Sequence, residues 1–206
     1  MPKQSVHICW FRRDLRLHDH AALYHALEAG VPVLPLFIFD RSILDQLEDK
    51  TDRRVEFIHG AITAMQQQLV AAGSSMEVHY GFPEQVFLQL LETYDVKQVF
   101  TNHDYEPYAR QRDAAIAQLL AAKGVPFHTF KDQVIFEKSE VVKDDGKPYT
   151  VFTPYSRRWK ATLQPRHLQS YPVAKRWANL LQRAAQPIPS LEAMGFHATG
   201  APFPAN

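Results

Sequence analysis

The chain has 206 residues, 46% apolar and 22% charged, the balance of a soluble globular protein that can bury one sizeable core or one core plus an appendage. Its formal net charge of +1 gives no support to a strongly basic nucleic-acid-binding surface, although a local patch is compatible with a balanced total. A single cysteine, Cys9, excludes an internal disulfide, and no apolar run reaches signal-peptide or membrane-spanning length, so a cytoplasmic protein is predicted.

Residues 6–11 read as the first strand, with Cys9 a buried structural thiol inside it. Asp19 is the expected N-cap of a helix running to about Ala29, and Gly30 stops it. Residues 31–39 are branched, aromatic and almost wholly apolar, as a strand covered on both faces reads; Pro32 and Pro35 delay its regular part. Residues 52–72 form the clearest helix, because Val55, Ile58, Ile62, Met65 and Leu69 recur at spacings of three and four. Gly73 ends it. A third strand follows at 76–80, a third helix at 83–94 and a fourth strand at 98–102. Pro107 suits a first helical position, and that helix runs through Ile116 and Leu120 to Gly124. Residues 127–130 make a fifth strand.

Five strands interleaved with four helices predict an α/β fold: a doubly wound, five-stranded parallel sheet, Rossmann-like, with the first strand central. Its ligand crevice is expected beside strands one and four, where the winding reverses. From residue 134 the character changes. Residues 143–147 read as a turn, Thr153-Pro154 opens a helix over 155–168, and a possible helix through Trp177 and Leu181 gives way to a tail marked by Pro187, Pro189, Pro202 and Pro204. The expected division is a core at 1–133, an excursion with a closing helix at 134–170, and a linker at 171–206 that buries little.

No Gly-x-Gly-x-x-Gly follows the first strand, and no Walker loop, cysteine pair or Ser-His-Asp set stands out. His18 and His20 fit capping or solvated positions better than metal ligation. The residues alone describe a ligand-binding domain with neither catalytic residues nor a metal site. Arg12, Arg13, Asp14 and Arg16 crowd the end of the first strand. They suit a loop-fastening network, a ligand contact, or both together. Residues 101–108 place Asp104, Glu106 and two tyrosines at the fourth strand's end. Helix capping is the alternative for both carboxylates, but the switch position favours a ligand role for Asp104. Arg53 and Arg54 offer cations from the other side, with a solvated helix face preferred for Arg54.

Residues 10–23 (Trp10-Phe11-Arg12-Arg13-Asp14-Leu15-Arg16 onward) resemble the opening of the DNA photolyase and cryptochrome family. Leu36-Phe37-Ile38-Phe39-Asp40 is similar to that family's second strand, residues 102–113 to its fourth-strand segment, and residues 146–155 to the passage leaving the α/β domain. The resemblance covers nearly the whole chain, in order. It implies the N-terminal domain of a deoxyribodipyrimidine photolyase. That domain holds a light-harvesting antenna chromophore for a FAD in a helical domain, which repairs pyrimidine dimers in damaged DNA. Residues 189–196 look like connector sequence, and the end at Pro204-Ala205-Asn206 reads as a truncation before that helical domain. The fragment alone is not expected to catalyse.

The resemblance implies antenna contacts from Arg12, Phe39, Asp40, Arg53, Asp104 and Glu106. The folate-binding type is expected to carry an Asn-Glu pair where Tyr108 and Ala109 stand, which counts against folate. Asp104 matches a carboxylate of the deazaflavin-binding type, and Arg53 a basic position beside that pocket, so a deazaflavin or FMN is preferred. The alternatives are a cryptochrome-type photoreceptor, a stand-alone nucleotide-binding or electron-transfer α/β protein, and an interaction module with a degenerate crevice.

Overall fold

The computed structural model describes residues 2–203. Five strands, β1 (Ser5–Phe11), β2 (Val33–Asp40), β3 (Glu77–Gly81), β4 (Asp95–Asn102) and β5 (Phe127–Phe130), form one all-parallel sheet in the order β3-β2-β1-β4-β5. The helices are α1 (Ala21–Glu28), α2 (Arg41–Leu44), α3 (Arg53–Ala71), α4 (Pro83–Thr93), α5 (Pro107–Ala121) and α6 (Phe152–Thr162).

Every residue of β2, and all of β1 after Ser5, is buried. Parallel strands covered on both faces require that apolar run, because neither face meets water. Alternation then splits the side chains into two cores. Cys9, Phe11 and Phe37 pack with Leu23 and Leu27 of α1 and Ile62 and Leu69 of α3. Ile8, Trp10 and Leu36 pack on the opposite face with Phe87 of α4 and Ile116 and Leu120 of α5. Each fully buried side chain of this size stabilises the fold by roughly 1.5–3 kcal/mol.

The elements depart from expectation where side chains from distant segments intervene. Asp19 does not cap α1: it sits at φ 44°, and its carboxylate accepts from the Tyr171 N–H at 2.8 Å. His20 is the cap, accepting from Leu23 N–H, while Asp132 and Asn102 accept from Ala21 and Ala22 N–H at 3.1 and 2.9 Å. The first turn is therefore satisfied from across the sheet. β4 starts three residues before the predicted 98, because Asp95 pairs with Ser5 and accepts its hydroxyl at 2.6 Å. The helix expected over 155–168 is divided into α6 and a separate 3-10 turn, Pro165–Leu168, since Pro165 has no N–H to continue the ladder.

The largest correction concerns the linker that was expected to bury little. Val173, Leu180, Leu181, Leu191, Met194 and Phe196 are all buried against the α/β body. The Leu181 N–H donates to the Val33 carbonyl at 2.8 Å, the Ser74 hydroxyl to the Leu181 carbonyl at 2.8 Å, and Arg183 to Glu77 at 2.7 Å. Gln66, buried on α3, bonds Ser75, Met76 and the Gln186 carbonyl, joining helix, strand and tail. Its prolines and irregular apolar spacing conceal this packing, because a strap that follows another surface needs no period of its own. Pro204, Ala205 and Asn206 lie outside the described residues.

Candidate functional site

The C-terminal ends of β1 and β2 open into a crevice of about 630 Å³. Its apolar wall comes from Phe37, Ile38 and Phe39 of β2, Leu44 of α2 and Ile58 of α3. Its polar wall comes from the β1 exit and from α5, where helical spacing turns Tyr108, Ala109 and Arg112 to one face. An apolar cleft with a few convergent polar groups at the strand ends of an open α/β sheet is the usual form of a small-molecule site.

Of the six residues expected here, five line the crevice: Arg12, Phe39, Asp40, Asp104 and Glu106. Phe39 is 3% exposed. Asp40 ends β2, caps α2 by accepting from Ser42 N–H at 3.0 Å, and accepts the Tyr108 hydroxyl at 2.7 Å. Burial, then that bond to Asp40, pushes the Tyr108 hydroxyl up to about 12, so it remains a donor at neutral pH. Asp104 is nearly buried, accepts from the Glu106 N–H at 3.3 Å and faces Arg13 at 3.6 Å. Glu106 is exposed and faces the same Arg13 at 3.5 Å.

Arg53 lies elsewhere. It reaches back to the tail, donating to Thr199 Oγ1 at 2.9 Å and to the carbonyls of Ala201 and Pro202 at 3.1 Å, and stands 4.3 Å from the Phe203 ring centroid. Arg54 is exposed, as expected of a solvated helix face, and also borders the crevice, with Nε held 3.0 Å from the helix cap Asp52. One residue along α3 is about 100° of rotation, and the sequence alone does not fix that phase at the first turn.

Three residues that the sequence reading passed over shape the site. Arg112 is buried, donates to Asp113 at 3.2 Å, and keeps its Nη1 at 3.8 Å from Asp40, beyond hydrogen-bond reach. Arg12 is ion-paired with the same Asp113 and donates to the Asn102 carbonyl. Both guanidinium groups stand over the Trp10 ring, at 5.1 Å for Arg12 and 4.9 Å for Arg112. Trp10 lines the crevice while its Nε1 is buried with no acceptor among the described residues. Only the spacing of Tyr108 and Arg112, one turn apart at the opening of α5, signals this cluster in the sequence.

The rest of the charged signature faces away from the crevice. Asp14 accepts from Arg12 N–H at 2.8 Å, Asn102 Nδ2 at 2.7 Å and His20 Nε2 at 2.7 Å. Burial alone would raise the Asp14 carboxyl. His20's bond and charge, with backbone N–H groups, outweigh it and hold the carboxyl well below the usual carboxylate range. Arg16 pairs with Asp132 at 2.8 Å. Among the described residues, no group of three His, Cys, Asp or Glu side chains is placed to hold a metal ion, and no helix is long and apolar enough to cross a membrane.

The crevice thus joins an aromatic wall to a polar edge made by Arg112, Trp10 and Asp40. Residues 7–175 match the family model described as DNA photolyase. An uncharacterized 31.6 kDa protein of Synechococcus sp. (strain PCC 6716) is 34% identical over 95% of this chain and 68% of its own length. The crystal structure of a class III photolyase from Agrobacterium tumefaciens superposes with a TM-score of 0.75 at 26% identity, over 93% of this chain and 38% of that one. An archaeal photolyase from Sulfolobus tokodaii, described with two FAD molecules and an implied novel light-harvesting cofactor, gives a TM-score of 0.60 at 29% identity, over 66% of this chain and 31% of that one. The chain spans about a third of the length of the deoxyribodipyrimidine photo-lyases it matches.

Proposed function

Because the chain belongs to the DNA photolyase family, we propose that its crevice binds a light-harvesting antenna chromophore of the flavin class, a deazaflavin or FMN rather than a folate. The observation that carries this reading is one cavity joining an aromatic wall to a buried, incompletely paired arginine and an orphaned indole donor. A flavin-type ring presents a flat apolar body and an edge bearing both acceptors and an N–H. Phe39 and Tyr108 suit the body; Arg112 and the Trp10 N–H suit the acceptors; Asp40 suits the donor. Such a chromophore absorbs the photon, and the chain's part is to hold it fixed and dry. The Sulfolobus relative's second FAD supports a flavin in this role. In the complete system the excitation passes to a FAD in a helical domain that repairs pyrimidine dimers in DNA, in the cytoplasm.

The test is a fluorescence titration of the purified chain with FMN, a deazaflavin and methenyltetrahydrofolate. Saturable quenching of a flavin-type ligand is expected, with Asp104→Ala weakening it by about 1–3 kcal/mol, the cost of losing a buried acceptor. Folate binding without flavin binding overturns the chromophore class, and binding of neither removes the antenna reading.

A further inference from the structure

The net charge near zero hides a strong segregation. Residues 146–191 contain eight lysines and arginines and no aspartate or glutamate, while the other residues carry fifteen against twenty-two. A segment at +8 therefore lies beside a body at −7. Two of the eight are matched on the body, Arg176 by Glu28 and Arg183 by Glu77. Among the described residues, Arg157, Lys160 and Arg166 have no ion-pair partner, and Arg158 meets only Asp144, at 3.6 Å, whose side chain is 95% exposed.

These free cations come together through one ring. Phe136 packs edge-on against Trp159 of α6 at 5.4 Å and against His167 of the Pro165–Leu168 turn at 5.0 Å. It thereby sets α6 beside the turn that carries Arg166, which lines a cleft of about 350 Å³ with Arg16 and Lys131, themselves paired with Asp132 and Glu140. No residue of α6 is buried, and Phe152 at its first position is 77% exposed. A bare aromatic ring on the same helix as the unpaired Arg157 and Lys160 fits one polymer best. Phosphates take the guanidinium and ammonium groups, and an unpaired base takes the ring face. A duplex hides its base faces from Phe152, and an apolar protein groove leaves the cations unmatched.

We propose that residues 146–168 form a contact surface for single-stranded nucleic acid. The surface gives this chain a strand contact of its own within the repair reading, and it is independent of the antenna crevice. The binding is sequence-tolerant, because neither phosphates nor ring faces distinguish bases.

The experiment is fluorescence anisotropy of labelled oligo(dT), oligo(rU) and a DNA duplex of equal length, titrated with the full chain over a series of salt concentrations. Single strands are expected to bind more tightly than duplex, with affinity falling steeply as salt rises. Removing four phosphate contacts in R157A/R158A/K160A/R166A makes the log–log salt slope shallower by about 2–3. Phe152→Ala weakens single-strand binding about tenfold, and Phe152→Tyr restores it. Circular dichroism and flavin titration of the same variants keep a folding defect, or a failed antenna site, separate from this result. Comparison of the dT and rU arms shows whether DNA or RNA is the better ligand. Absence of saturable binding at low salt overturns the proposal. So do preference for duplex, an equal loss from Lys123→Glu in the turn after α5, and self-association of the chain in place of oligonucleotide binding.

Discussion

The two sides of the β1 exit treat charge in opposite ways. Toward α1 and β4, Asp14, His20 and Asn102 form a closed junction in which the carboxylate accepts from three directions. Toward β2 and α5, the crevice leaves its polar atoms half-matched: Arg112 stops short of Asp40 and the Trp10 N–H has no acceptor. One short signature, Arg12 to Arg16, feeds both. A buried charge that meets its partners rigidifies the wall, and one left partly free keeps an interaction in reserve for a ligand. The comparison separates residues whose loss unfolds the domain from residues whose loss empties it.

Asp14→Ala is the sharpest way to break the junction. It leaves His20, Asn102 and the Arg12 N–H buried without their acceptor, and is expected to cost about 3–5 kcal/mol in urea unfolding. Arg112→Met keeps the packed stem and removes the cation. It is expected to lower flavin affinity about ten- to hundredfold while the unfolding midpoint moves far less. If Arg112→Met unfolds the chain as readily as Asp14→Ala, the two sides do not differ as described.

Acid titration probes the same contrast. Asp14 and Glu77 both have folded-state values below their unfolded ones. The stability each contributes is whole above the unfolded value and is lost as pH falls toward the folded one. For Glu77 the His79 contact comes first, and Arg183 and Tyr94 help overcome burial, holding it at about 2 against an ordinary 4.5. These two carboxylates should therefore make thermal melts fall between about pH 4.5 and 2. That fall lies below and apart from the loss that starts near 6.5, as protonation of the His7 and His25 imidazoles, both held below the ordinary value by burial, favours the unfolded chain. Glu77→Gln should remove the strap's share, of order 2 kcal/mol once solvent screening is allowed for. An equal acid loss in that variant would exclude Glu77 as a source. The smallest expected effect is Arg53→Ala. It should leave flavin affinity unchanged and alter stability by about 0.5 kcal/mol or less, since its partners are exposed. Reduced flavin binding in that variant would bring Arg53 back to the crevice.

The sheet was legible because its signals are local. The apolar runs of β1 and β2 could only be doubly covered strands, and Gly30, Gly73 and Gly124, at φ of +84°, +78° and +71°, stop the helices before them. Arg12, Asp104 and Glu106 followed from the strand ends, and Phe39 and Asp40 from the family resemblance. What stayed hidden depends on partners far away in sequence: His20 as a cap needs Asn102 and Asp132 beside it, and Gln66 reads as a polar intruder on an apolar face until Gln186 arrives. Arg53 misses the crevice because the tail's end claims it, a contact that nothing near Arg53 in the sequence signals.

Cys9 sits at the middle of the central strand, fully buried, with its ionisation pushed well above the ordinary thiol range first by burial and then by Asp14 and Asp132. The core that α1, α3 and the tail form on its face of the sheet must open before an alkylating reagent reaches it. Its labelling rate is therefore a clock for opening of that core, blind to fraying at the sheet's edge strands.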